Sequence, residues 1–98
     1  MAASTFHRDY QLLIGLLKEA RRQRGMTQME LAERLGNTQT FISKVERGER
    51  RLDVVEFVES CEAIAIDPCE VLGDFLRQRK RLRKAGQAAL KISKKAAT

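Results

Sequence analysis

Residues 36–50, GNTQTFISKVERGER, carry most of the recognition chemistry available to this 98-residue chain. Wound into a helix, this stretch turns Ile42 and Val45 inward and presents Gln39, Thr40, Phe41, Ser43 and Lys44 outward. A glutamine amide both donates and accepts, which suits N6 and N7 of adenine. A lysine ammonium donates to O6 and N7 of guanine, and a phenyl ring or threonine methyl packs on the methyl of thymine. No acidic side chain, which phosphate would repel, falls between positions 37 and 45. Gln28, Asn37, Arg47, Arg50 and Arg51 flank this face as candidates for the phosphate backbone, aided by the positive N-terminal ends of two helices. The outward face therefore reads as a surface that distinguishes base pairs in the major groove. Phe41 has a second reading, as a partly buried core or interface residue, and Arg50 and Arg51 have one as plain loop charges.

Such a face needs a scaffold, and the spacing of apolar residues predicts five helices. The first spans about Phe6 to Arg24, capped by Ser4 or Thr5 and stopped at Gly25, with Tyr10, Leu13, Leu17 and Ala20 on one stripe. Leu12 and Leu16 lie on another side, enough apolar surface to suggest a partner subunit. The second spans Thr27 to Leu35, with Thr27 and Glu30 as a capping box and Gly36 as terminator. The third runs from Gln39 to Arg47, with Thr38 as N-cap and Gly48 as stop. The fourth covers about Val54 to Ala65, opened by Asp53 and Glu56, with a Leu52–Phe57 staple and Val54, Phe57, Val58, Cys61 and Ile64 at helical spacing. The fifth opens at Asp67-Pro68 and should bury Val71, Leu72, Phe75 and Leu76. The second and third helices, joined at Leu35-Gly36-Asn37-Thr38, make a helix-turn-helix.

Composition sets the limits. An all-α domain over residues 1–76 is expected, followed by a basic extension over 77–98 that is partly helical and then disordered. The extension holds nine of the 19 basic side chains and none of the 13 acidic ones, so residues 1–76 carry a net charge of −3 within an overall +6. The tail, not the body, makes the chain basic. It reads either as a solubilising extension or as an arm that adds DNA affinity through counterion release. Two cysteines and one histidine, widely spaced, give no disulfide framework and no metal site. No cofactor-binding motif and no catalytic constellation are present, so no enzyme is expected. Neither a signal peptide nor a membrane span is evident, which places the chain in the cytoplasm.

The string TQMELAERLGNTQTFISKVERGER resembles the helix-turn-helix of the lambda-repressor-like (Cro/cI, or XRE-type) regulators. The likeness covers about residues 10–76 and is densest in the motif, residues 27–48. It implies a compact five-helix, lambda-repressor-like DNA-binding domain that works as a homodimer on a two-fold operator in duplex DNA. By position, Gln28 then matches a phosphate-binding glutamine and Gln39 the leading base reader. Thr40 and Lys44 fall at further base-contact positions, Thr38 and Arg47 at backbone-contact ones. Arg21 and Glu46 fall where the family often has a buried ion pair. Phe41 departs from the small polar residues common at its place, and Ala65 stands where a glycine is usual. The expected function is a sequence-specific transcriptional regulator, a repressor acting by occupancy. Two alternatives stay open: an antitoxin-type or restriction-controller regulator, and a protein–protein adaptor with secondary DNA binding.

Overall fold

The computed structural model describes residues 7–97, with side chains as far as residue 85. Five α-helices fill that stretch: α1 (Arg8–Gln23), α2 (Gln28–Leu35), α3 (Gln39–Glu46), α4 (Val54–Ile64) and α5 (Pro68–Ala97). None of the described residues is in a strand. The expected caps Ser4 and Thr5 lie outside the described residues. Within them, His7 is the N-cap of α1, its Nδ1 accepting from the Asp9 amide at 3.1 Å. Both capping boxes form, Thr27 with Glu30 and Asp53 with Glu56. At the start of α5 the Asp67 carboxylate accepts from the Cys69 amide at 2.9 Å, just ahead of a helix that begins on proline.

Burial of one face of each helix holds these pieces together. Leu17, Ala20, Met26, Leu31, Ala32, Ile42, Phe57, Cys61, Ile64 and Val71 form the main core. Tyr10, Ile14 and Val45 form a smaller one, and Phe41 and Leu52 pack against both. Burial pushes the Cys61 thiol up to about 11, so it stays protonated and serves as packing. The carbonyls at the end of α4, which has no basic residue in its last turn, take donors from elsewhere. Arg34 reaches Ala63 O at 3.1 Å and Arg24 reaches Ala65 O at 2.8 Å.

Three residues expected in the core are not there. Val54 is 77% exposed, Leu72 41% and Leu76 58%. Val54 stands in the first turn of α4, ahead of the turn where Phe57 enters the core. In α5, Val71 takes the inward position, Phe75 lines a cleft beside Tyr10 and Leu13, Leu72 borders an open apolar cleft with Tyr10, Leu13 and Phe57, and Leu76 is exposed. Leu16, by contrast, is partly buried against the main core, and Leu12 is also partly covered.

Candidate nucleic-acid interface

The site is built on the α2–α3 pair. Gly36 closes α2 at φ 65°, and the Asn37 amide reaches back to Ala32 O at 2.9 Å. That left-handed turn is open to glycine without the steric cost a Cβ brings. Asn37 Oδ1 then accepts from the Thr38 amide at 2.8 Å, and Thr38 Oγ1 caps α3 by accepting from the Phe41 amide at 3.1 Å. Such a cap contributes about 1 kcal/mol and, more to the point, fixes where the helix starts.

With Ile42 and Val45 buried, the opposite side of α3 faces solvent. Asn37, Thr38, Gln39, Thr40 and Lys44 are exposed, and Ser43 is partly so. Arg47, just past the end of α3, donates from Nη1 to Ser43 Oγ at 2.6 Å and pairs with Glu49. Seven uncharged hydrogen-bonding or cationic groups thus share one surface. Phe41 sits apart from them, partly buried, with the Arg50 guanidinium 4.8 Å above its ring.

A buried anchor fixes the angle of α3 to the rest. Glu46, at its last turn, receives Arg21 Nε at 2.7 Å and Arg21 Nη2 at 3.0 Å. Arg21 spends its remaining Nη1 on Met26 O at 2.6 Å. The two side chains are 9% and 7% exposed. Gln28 Nε2 donates to the same carboxylate at 2.9 Å, so the first residue of α2 is tied to the end of α3. Among the described residues no buried side-chain nitrogen or oxygen lacks a partner, the condition under which a buried pair can be tolerated.

The α3–α4 loop contributes the remaining charge. Arg50 grips Glu56 through both terminal nitrogens, at 3.2 and 2.9 Å. Glu56 also accepts from the Asp53 amide at 3.0 Å. That amide and the Arg50 guanidinium hold the Glu56 carboxyl below its ordinary value. Arg51 lies 5.0 Å over the Tyr10 ring. Hence Arg50 is engaged within the chain, whereas Asn37, Thr38, Gln39, Thr40 and Lys44 are displayed together. Sequence reasoning placed Tyr10 in the core stripe but missed its hydroxyl. That group donates to Arg50 O at 3.1 Å and accepts from the Leu52 amide at 3.0 Å. A buried tyrosine usually needs such partners, and this was the available signal. Among the described residues, no group of acidic, histidine or cysteine side chains is placed to hold a metal ion, and no helix is long and apolar enough to cross a membrane.

Known proteins share this arrangement. Residues 17–71 match the helix-turn-helix family HTH_3. An uncharacterized HTH-type transcriptional regulator, y4dJ of Sinorhizobium fredii, is 32% identical over 65 residues, which is 65% of this chain and 84% of that one. An XRE-family like protein from Pseudomonas syringae pv. tomato is 49% identical, with a TM-score of 0.70 over 79% of this chain and 95% of its own. The restriction-modification controller protein C.AhdI from Aeromonas hydrophila is 29% identical, with a TM-score of 0.61 over 66% of this chain and 98% of its own.

Proposed function

We propose that this chain, which belongs to the XRE family of helix-turn-helix DNA-binding transcriptional regulators, binds a two-fold operator as a homodimer and represses by occupancy. One α3 enters each major groove, with the two centres about 34 Å apart on one face of the duplex. Gln39, Thr40, Ser43 and Lys44 contact base edges. Phe41, the partly buried member of the predicted face, chiefly seats the helix. Gln28, Asn37, Thr38, Arg47 and Arg51 meet the phosphate backbone, while Arg50 holds the loop through Glu56. Residues 1–76 form the specific domain, and residues 77–98 add an unspecific basic arm. The protein works in the cytoplasm, without catalysis and without a cofactor.

The observation that carries this reading is the split of α3: Ile42 and Val45 buried, Gln39, Thr40 and Lys44 exposed on the far side. Selecting bound duplexes from random sequence tests it. The expected product is a symmetric site, and Gln39→Ala should relax preference at one base pair per half-site, costing about 1–3 kcal/mol of discrimination. Binding that ignores sequence, supplied by the tail alone, would leave only the adaptor reading. The likeness to C.AhdI favours a narrower version, a restriction-modification controller. It would show as an operator immediately upstream of the chain's own gene.

A further inference from the structure

The loop between α3 and α4 is pinned by a residue far away in sequence. Tyr10, in the first turn of α1, is 7% exposed. Its hydroxyl donates to the carbonyl of Arg50 at 3.1 Å and accepts from the amide of Leu52 at 3.0 Å. Those two peptide groups flank Arg51, so both sides of one exposed arginine are tied to a single oxygen. The Arg51 guanidinium in turn rests 5.0 Å above the same tyrosine's ring. The next residue of α1 presses on the loop as well: a Cβ at Gly48 would lie 2.2 Å from Gln11 Nε2. Burial raises the Tyr10 pKa above its ordinary value of 10.0, so the hydroxyl keeps the proton it donates throughout the physiological range.

From this geometry we propose that Tyr10 is a positioning residue for DNA binding, fixing the backbone on either side of Arg51 so that its guanidinium meets a phosphate. This rests on the DNA-binding reading above and adds to it a group that never touches DNA. A loose loop would offer the same charge but spend ordering entropy each time it bound. Removing the hydroxyl alone should therefore weaken binding without changing which sequence is preferred, because phosphate contacts position and base contacts specify.

The test uses the full chain, a duplex selected by the wild type, and an unselected duplex of equal length. Tyr10→Phe keeps the ring beneath Arg51 and removes both hydrogen bonds. It should bind the selected duplex about tenfold more weakly, with a salt slope smaller by about one, as expected when one phosphate fewer is neutralised. A thermal melt and the exchange rate of the Leu52 amide establish that the variant is folded and its loop freed. In an Arg51→Ala background the same change should have little further effect on affinity. Unchanged affinity in Tyr10→Phe with a freed Leu52 amide would overturn the proposal. So would a full tenfold weakening that persists in the Arg51→Ala background. If the wild type selected no duplex at all, the DNA-binding reading itself would fall, an outcome distinct from both.

Discussion

At the scale of single residues, two carboxylates do unlike jobs. Glu46 is a buried acceptor shared by Arg21 and Gln28. Glu46→Ala would strand the Arg21 guanidinium without its counter-ion and should cost about 3 kcal/mol, read from urea unfolding with unchanged m-value. Glu56 lies nearer solvent and works through pH. Its folded pKa is depressed, so the stability it contributes is present above the ordinary carboxylate value of 4.5 and is lost as pH falls through the lower folded value. An acid titration of Tm should therefore lose a step in Glu56→Gln relative to wild type. The resemblance of the motif pointed to Arg21 and Glu46, because both positions fall within reach of a recognisable string. The Arg50–Glu56 grip and the stacking of Arg50 on Phe41 were not legible. Such contacts depend on where a loop folds back, and side-chain type alone leaves Arg50 equally fit for phosphate or carboxylate.

At the scale of elements, punctuation proved more readable than burial. Capping residues act on their own neighbours, so Thr27, Thr38 and Asp53 could be placed from sequence by local chemistry. Which apolar side chains turn inward depends on the partner helix, and there Val54, Leu72 and Leu76 departed from expectation. Two helix ends give opposite predictions. Ala65 adopts φ 64°, a left-handed conformation in which its Cβ is strained. Ala65→Gly should stabilise the fold by about 1 kcal/mol and raise Tm by several degrees, without altering DNA preference. Gly48 adopts φ 79° with the Gln11 side chain against it. Gly48→Ala must both strain the turn and push Gln11 aside, so it should destabilise by at least about 1 kcal/mol and also weaken binding. Measuring both variants by thermal melt separates a helix stop that only ends a helix from one that also seats the loop.

At the scale of the whole molecule, charge is divided along the chain. A body of net charge −3 must approach a polyanion, with Lys44, Arg47, Arg50 and Arg51 on or just after α3 and a further nine basic side chains on residues 77–98. Among the described side chains of that stretch, Arg77 pairs with Asp74 on its own helix, while Arg79 Nε donates to Asp9 at 2.7 Å and ties α5 to the start of α1. The ion pair also keeps the Asp9 carboxyl below its ordinary value. Deleting residues 80–98 spares that tie and removes seven basic side chains, so it separates the arm from the fold. If the arm supplies counterion release, the truncated chain should bind selected and unselected duplexes more weakly by the same factor. Its salt slope should fall by about 0.9 for each phosphate the arm had neutralised, with the ratio between the two duplexes preserved. If α3 reads sequence and the arm reads only charge, as proposed, the same deletion in Gln39→Ala should add independently. A truncated chain without preference among sequences, yet with its thermal stability intact, would mean that specificity resides in the arm. The exposed face of α3 would then need another purpose.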